Sequence, residues 1–407
     1  MTRALAPALA AFFTIVQFYT SLASLSPTPP VGYVFASWGD AALLVALLVL
    51  SGIVLLAGLV RERAAPTPAS AAILGAWIGA SALASALGLY PGAGFQVVGV
   101  MLLAGIFHLA VVRFYGRPGV ARTLLDAYLW TGLIASLAAL AMFVTRRPGA
   151  LWALNHGRAA GVFVTANQLA AFAVAFLFVA LGAALGGSGP VRWLGAAGAA
   201  AGAAALVATV SLAGLLGAAV AGAFYCLALG ARRAALGLAC AVALGAAVTL
   251  LRPAAGHNPA ESFDRLRIWQ AGIRVVELFP LTGVGPMAYF KVYPAVRPPN
   301  GDLPGTFGAL HPHDVYLSLA GETGLVGLAA AAFGWLRFSR AFRAGVRTLD
   351  PRGRRFAFGV AAALVAVLVQ GFFDTVGVVE VAFVWIPFAG LALAAAASGL
   401  PGRAGAA

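Results

Sequence analysis

Long apolar segments recur along the chain, and each is long enough to form a helix that crosses a membrane, which takes about 20 mostly apolar residues. None shows the alternation of apolar and polar residues typical of a half-buried strand. The pattern predicts an all-α polytopic membrane protein with about twelve transmembrane helices. The predicted segments are 5–25, 41–60, 71–89, 94–112, 124–144, 162–184, 194–209, 210–229, 234–251, 314–336, 356–374 and 378–398.

The composition agrees with a lipid environment. Of the 407 residues, 62% are hydrophobic and only 9% are charged, whereas soluble domains carry about 25% charged residues. This balance excludes a soluble enzyme, a secreted disulfide scaffold and a disordered chain. The two cysteines, Cys226 and Cys240, lie in apolar segments and predict neither a disulfide framework nor a metal cluster.

The distribution of basic residues predicts the orientation, because cytoplasmic loops are rich in Lys and Arg. With the N-terminus inside, 17 of the 26 basic residues fall on the cytoplasmic side. They include segment 337–355, which holds seven arginines and is predicted to be a basic cytoplasmic loop. We therefore expect both termini to be cytoplasmic. The net charge of +14 then reflects topology and attraction to anionic membrane lipids, and no nucleic-acid partner is expected.

The remaining basic residues lie in two predicted outer loops. The first is 145–161, within helices 1–9 (residues 1–251); the second, 252–313, is the only large loop and precedes helices 10–12 (residues 314–407). Because these residues oppose the topology bias, an anionic ligand on the outer side is the simplest explanation, and a solvated loop is the alternative. They are Arg146, Arg147, Arg158, Arg252, Arg265, Arg267, Arg274, Lys291 and Arg297.

The large loop is predicted to contain an amphipathic helix over 262–279, lying at the membrane interface. Ser262 or Asp264 could cap its N-terminus, and Pro280 ends it. Arg265 falls on the apolar side, where an arginine needs a partner, so it is a candidate ligand-binding residue. The polar stripe comprises Arg267, Gln270, Arg274 and Glu277, and the apolar face comprises Leu266, Trp269, Ile273 and Val276.

A glycine-rich turn and a pair of histidines follow this helix. The turn 281–286 could cradle a phosphate with its backbone N–H groups or serve as a simple turn. His311 and His313 stand at the start of the tenth helix and are too few for a zinc site, so no metal is expected. An imidazole there could accept a proton from a hydroxyl nucleophile, or it could be a solvated loop side chain. Asp314 could orient the imidazole or cap the helix.

Three sequence blocks resemble the motifs of the bacterial O-antigen ligases. His313-Asp314, separated by nine residues from Gly324-Leu-Val-Gly327, resembles the H-[NSQ]-x9-G-x-x-G signature. Two upstream blocks match as well, and the resemblance covers about residues 155–400. They are Arg158-x-x-Gly161-x-Phe163 with Asn167, and Arg265-x-x-x-Trp269 followed by Pro280-x-x-Gly283-x-Gly285.

The resemblance implies a GT-C-like, inverting, metal-independent membrane glycosyltransferase with no cofactor. Its donor would be an undecaprenyl-diphosphate-linked glycan at the periplasmic face of the bacterial inner membrane. A ligase would use lipid A–core as the acceptor, and a polymerase would use another glycan. Arg158 and Arg265 would hold the diphosphate, and His313 would be the general base, with His311 as the fallback. The further candidate substrate-binding residues are Arg146, Arg147, Arg274, His311, Asp314, Tyr316, Trp269 and Glu322.

A transporter is the competing class, because a bundle of twelve helices also suits a solute carrier. The ionisable residues within the predicted spans lie near helix ends, which is not typical of a coupled pump. A non-catalytic scaffold would leave Arg265 and His313 unexplained. We assign structural roles to His108 and His156 and interhelical hydrogen bonds to Gln17, Gln168 and Gln370.

Overall fold

The structure, a computed structural model, describes residues 2–17, 38–163, 165–233, 259–297, 311–373 and 384–400. These residues contain fourteen helices, and none of them forms a strand. The helices are α1 (Thr2–Gln17), α2 (Trp38–Arg61), α3 (Pro68–Leu87), α4 (Pro91–Phe114), α5 (Val120–Thr145), α6 (Gly149–Leu154), α7 (Ala166–Gly186), α8 (Gly189–Ala208), α9 (Leu212–Ala228), α10 (Pro259–Leu278), α11 (Tyr289–Val296), α12 (Val315–Val346), α13 (Pro351–Gln370) and α14 (Ile386–Ser398).

Seven helices in the described part of the chain are long and apolar enough to cross a membrane: α3, α4, α5, α7, α8, α12 and α13. Shorter apolar stretches lie in α1, α2, α9 and α14. The chain is thus an all-α, multi-pass membrane protein, as predicted. Eleven of the twelve predicted segments overlap described helices, whereas the ninth, 234–251, lies outside the described residues. The number of spans stays a prediction.

The boundary between the seventh and eighth predicted segments, 194–209 and 210–229, is confirmed. Helix α8 ends at Ala208, and α9 begins at Leu212. Ser211 caps α9, because its hydroxyl accepts a hydrogen bond from the N–H of Gly214.

Many of the helix ends gather into two groups. The first, which we call the arginine end, holds basic residues that were predicted to be cytoplasmic. Here Arg117 hydrogen-bonds Glu62, and Arg113 lies 3.5 Å from the same carboxylate. These contacts hold the pKa of Glu62 below its usual range, with the Arg117 hydrogen bond as the largest cause. The Tyr225 hydroxyl donates to the carbonyl of Arg355 over 2.9 Å, which brings the end of α9 to the start of α13.

The second group, the histidine end, brings together the ends of α8 and α13 and the starts of α7, α9 and α12. The Val315 N–H donates to the Gly371 carbonyl over 2.7 Å, and Gln370 Nε2 donates to the Asn167 carbonyl over 3.1 Å. The predicted outer loop 145–161 enters this end and contains the short helix α6. Inner and outer segments of the prediction therefore separate to opposite ends of the bundle in the described residues.

The predicted loop 337–355 is mostly helical. Helix α12 continues to Val346, and α13 begins at Pro351 with Asp350 as its N-cap, accepting from the Gly353 N–H over 2.8 Å. Only residues 347–350 connect the two helices. Arginine is a good helix former, so a transmembrane helix continues through an arginine-rich segment, and hydropathy alone places its end too early.

His108 has the structural role that the sequence predicts. Its side chain is fully buried in α4. Nδ1 lies 3.0 Å from the carbonyl oxygen of Ile386, and Nε2 lies 3.0 Å from Ser70 Oγ. The imidazole therefore ties α4 to α3 and α14.

Candidate functional site

Asp314 caps the N-terminus of α12. Its Oδ1 atom accepts hydrogen bonds from the N–H groups of Tyr316 and Leu317, both over 2.8 Å. Partial burial raises the pKa of this carboxyl above its usual range, although the two backbone hydrogen bonds oppose the shift. Of the two roles that the sequence left open, the structure shows the cap.

The cap predicts different results for two substitutions at this position. Asp314→Ala removes the acceptor and should lower the free energy of unfolding by about 1 kcal/mol. Asp314→Asn keeps an acceptor oxygen and should unfold at least as late as the wild type. Because the pKa of Asp314 is raised, its protonated form favours the folded state at low pH, and this contribution is lost as the pH rises through the raised pKa. The advantage of the asparagine variant in thermal unfolding should therefore grow from acidic to neutral pH, and a constant difference would contradict this account.

His313 precedes the cap in a backbone conformation that is rare for residues other than glycine. Its φ is 53°, and its N–H donates to His311 Nδ1 over 3.3 Å. The two imidazole rings lie 4.3 Å apart between centroids. A neutral His311 that accepts this bond carries its proton on Nε2, so neither of its nitrogens is left to take a proton from a substrate. This geometry favours His313 over His311 as the base.

Tyr316 anchors the histidine segment on the neighbouring helix. Its hydroxyl donates to the carbonyl of Leu368 over 2.8 Å, and its ring packs on Phe372 with centroids 4.2 Å apart. Together with the bond from Val315 to Gly371, these contacts fix the start of α12 against the end of α13. The hydroxyl of Tyr316 thus has a structural role.

Arg158 is held between the start of α7 and the end of α8. Its Nε donates to the carbonyl of Thr209 over 2.7 Å, and its Nη2 donates to Asn167 Oδ1 over the same distance. The backbone of the next residue, Ala159, also bonds to the carbonyl of Ala208 at 3.0 Å. Two hydrogen bonds in the plane of a guanidinium fix its orientation. The first and last residues of the block 158–167 therefore meet in space.

A short path of contacts joins Arg158 to the histidine segment. Asn167 holds Arg158 with its side chain and accepts from Gln370 with its backbone carbonyl. Gly371 follows Gln370 and accepts from Val315, two residues after His313. The structure thus places two separate sequence blocks at one end of the bundle. Gln370 makes the interhelical hydrogen bond that was predicted for it.

The glycine-rich turn fills a break in α12. At Gly324 the backbone has φ 64° and ψ −166°, so the helical hydrogen-bond ladder is interrupted. The chain after α10 supplies the missing acceptors, because the Leu325 N–H donates to the Pro280 carbonyl over 2.8 Å and the Val326 N–H donates to the Leu281 carbonyl over 3.1 Å. Buried backbone groups that lose their helical partners require such compensation from neighbouring protein.

The turn also donates hydrogen bonds to the helix, and this settles its role. The N–H groups of Val284 and Gly285 bond to the carbonyls of Gly321 and Glu322 over 2.9 and 3.0 Å. The Gly283 N–H bonds to the carbonyl of Phe279 over 3.1 Å. Three successive donors are therefore used within the protein. The turn is a structural joint, and the phosphate-cradle alternative is wrong for these three groups.

Helix α10 lies beside α12, and the face that contacts α12 is not the predicted apolar face. Ala271 and Val275 are fully buried, whereas Leu266 and Ile273 of the predicted apolar face are each 51% exposed. The small residues Ala271 and Gly272 allow close contact between the helices. A pattern of large apolar residues does not reveal such a contact. The helix also starts at Pro259, so the proposed caps Ser262 and Asp264 lie inside it.

Close packing at two points sets the register of α10 and α12. A Cβ atom on Gly272 would come within 2.6 Å of Leu317 Cδ2, and one on Gly321 would lie 3.4 Å from Val275 Cγ1. The two helices therefore run side by side in the same direction. Arg265 lies in α10 two turns before Gly272, and its side chain is outside the described residues.

The remaining candidates have varied surroundings. Arg274 is exposed and forms an ion pair at 2.9 Å with Glu277, its neighbour on the predicted polar stripe. Glu322 is only 3% exposed, and its Oε1 accepts from the Tyr289 N–H at 3.5 Å. Trp269 is half-buried in α10. Arg146 and Arg147 are exposed between α5 and α6. Among the described residues, no three His, Cys, Asp or Glu side chains come together as metal ligands.

Thr209 makes a contact with Arg158 that could not be predicted from the sequence. It is fully buried and holds Arg158 through its carbonyl group. A backbone acceptor carries no side-chain signal, so the sequence could indicate only that a polar residue near Ser211 ends the helix. Gln370 is visible in the sequence as a polar residue in an apolar segment, but its position beside Asn167 comes from the fold alone.

Comparison with known proteins agrees with the motifs. Residues 197–332 match a family model described as O-antigen ligase. The matched range includes Arg265, His313 and the break at Gly324, and it excludes Arg158 and Gln370. No curated protein matches the chain significantly. The family match confirms the resemblance that the motifs indicate: residues 197–332 of this membrane protein are similar to the O-antigen ligase family.

Proposed function

We propose that this protein transfers a glycan from undecaprenyl diphosphate to a sugar hydroxyl of lipid A–core, at the periplasmic face of the bacterial inner membrane. The family match supports a membrane glycosyltransferase of the O-antigen ligase/polymerase superfamily. The single observation that carries the finer proposal is the path from Arg158 through Asn167 and Gln370 to the segment of His313. It joins a fixed guanidinium to the chain segment that carries the imidazole, at one end of the bundle.

The arginines bind the diphosphate of the glycan donor. A guanidinium binds phosphate oxygens through paired hydrogen bonds and keeps its charge at every physiological pH. Arg158 would hold the diphosphate from the side of α7 and α8. Arg265 would approach from α10, whose register against α12 places this residue towards or beyond the start of α12. Charge that develops on the leaving diphosphate is then stabilised by groups already in place.

The histidine activates the hydroxyl group of the glycan acceptor. As the acceptor oxygen attacks the anomeric carbon, His313 takes the proton of its hydroxyl group. The new bond joins the acceptor oxygen to the anomeric carbon, and the bond from that carbon to the phosphate oxygen breaks. Its electron pair leaves with undecaprenyl diphosphate. A single displacement of this kind inverts the anomeric configuration.

The distribution of charged residues supports the proposed orientation of the protein in the membrane. The arginine end carries Arg113, Arg117 and the segment 337–355, which suits the cytoplasmic side. The histidine end would then face the periplasm, where the lipid-linked donor and lipid A–core meet. Membrane lipids surround the helices, and no nucleic acid is involved.

The test is glycan transfer by the purified protein in detergent, with lipid-linked glycan and lipid A–core as substrates. We expect a product with the wild type, with or without a chelator. Arg158→Ala and Arg265→Ala should each lower the rate by on the order of 100-fold. The control Arg340→Ala removes an exposed arginine from the same protein and should leave the rate unchanged. Longer lipid-linked glycans in place of the lipid A–core product would show a polymerase, and the absence of both products would reject the proposal.

A further inference from the structure

Gln370, the last residue of α13, has an unusual environment for a side chain in an apolar helix. It is only 3% exposed. Its Nε2 donates to the carbonyl of Asn167 over 3.1 Å, whereas its Oε1 is buried without a hydrogen-bond partner among the described residues. The amide cannot turn over, because Oε1 would then face the Asn167 carbonyl oxygen. At this position the side-chain amide therefore acts as a hydrogen-bond donor.

A glutamine is a costly choice for packing alone. A buried amide oxygen without a partner loses its hydration and gains nothing in return. Methionine has a similar length and would fill the same space without this cost. The glutamine at this position thus indicates that the bond to Asn167 serves a purpose other than burial.

The purpose follows from the second bond that Asn167 makes. The carbonyl of this residue accepts from Gln370, while its Oδ1 accepts from Nη2 of Arg158 over 2.7 Å. We propose that Gln370 is a positioning residue that holds Asn167, and through it the guanidinium of Arg158, in register with the start of α12. Gln370 reaches that helix through its neighbour Gly371, whose carbonyl accepts from Val315.

This inference rests on the proposed function, in which Arg158 binds the diphosphate and His313 acts on the acceptor. In this arrangement the side chain of Gln370, which touches neither substrate, sets the distance between Arg158 and His313. A small displacement of a group that binds the leaving diphosphate weakens the transition state strongly, because the geometry of the reacting groups is lost.

The first test compares kcat/KM for lipid-linked glycan between wild type, Gln370→Met, Asn167→Ala and the double variant. Each single variant should lose about ten- to 100-fold, and the double variant should lose no more than the worse single one, since both changes release the same guanidinium. The control Gln96→Met replaces an exposed glutamine in α4 and should retain full activity. Multiplied effects in the double variant, or full activity of Gln370→Met, would overturn the proposal.

The second test uses pH and does not depend on how well the methionine variant folds. Gln370→Glu has nearly the same shape, but its carboxylate offers no donor to the Asn167 carbonyl. Protonation restores an O–H donor, so the activity of this variant relative to wild type should rise as the pH falls. A low activity of this variant that does not change with pH would reject a positioning role. If the wild type itself forms no product, the proposed function fails; if only these comparisons fail, the role of Gln370 alone is wrong.

Discussion

Substitution of His313 by asparagine is expected to lower the rate of glycan transfer by about 10²–10⁴-fold, the usual contribution of a general base. Asparagine tolerates the left-handed backbone conformation that His313 adopts at φ 53°. Its amide does not accept a proton from a sugar hydroxyl. The variant should therefore fold normally and fail in the chemical step. The measurement is the initial rate at saturating donor and acceptor.

His156 provides a matched control. It also has a left-handed backbone, with φ 51°, and it is exposed between α6 and α7. His156→Asn makes the same chemical change in the same backbone conformation and should leave the rate within about twofold of wild type, as surface substitutions usually have small effects. A rate for His313→Asn that matches this control would remove the histidine from the mechanism.

The fallback base, His311, is tested by the same assay. Its Nδ1 accepts from the backbone of His313, so we expect its main role to be fixing that backbone. Asparagine at position 311 can supply an acceptor oxygen in its place. His311→Asn should therefore cost less than about tenfold in rate, well below the loss expected for a base. A larger loss at 311 than at 313 would exchange the two roles.

The helices could be predicted from the sequence because lipid imposes a simple rule on apolar length. Even the short break between the segments 194–209 and 210–229 was predicted, and in the structure Ser211 caps the second of these helices. The end of α12 at Val346 was missed for the opposite reason. An arginine-rich segment marks where the lipid ends, but it does not end a helix.

The candidate site could be predicted only as a set of residues. Order and spacing singled out Arg158 and His313, which lie in the chain more than 150 residues apart, but neither periodicity nor composition shows that Asn167 and Gln370 join their surroundings. The contact of α10 with α12 at Gly272 was not predicted, because close contact between helices depends on small residues, to which a hydropathy pattern gives little weight. Tertiary packing decides both features.

The largest expected effect on folding comes from Gly324→Ala. With φ 64° and ψ −166°, this residue occupies a region of backbone space that is essentially restricted to glycine, and another residue there costs about 1–3 kcal/mol. A Cβ atom would also lie 2.2 Å from the Leu281 carbonyl oxygen, and relieving such overpacking costs typically about 1–3 kcal/mol more. We expect the variant to unfold at a clearly lower temperature in detergent and to yield little folded protein.

Gly79→Ala is the matched control, since it makes the same change within α3, where a Cβ atom would meet nothing within 4 Å. Its stability should be unchanged or higher by up to about 1 kcal/mol, because alanine favours the helix. The comparison separates the break at Gly324 from the general cost of altering a glycine in a membrane helix. If Gly324→Ala were as stable as this control, α12 would tolerate a continuous helix, and the turn 281–286 would not be the joint that holds α10 against it. If the Gly324→Ala variant is unstable, the break in α12 is a joint between two helices. The joint sets α10, which carries Arg265, against α12, which follows His313, and the last glycines of the two motifs, Gly285 and Gly327, flank it.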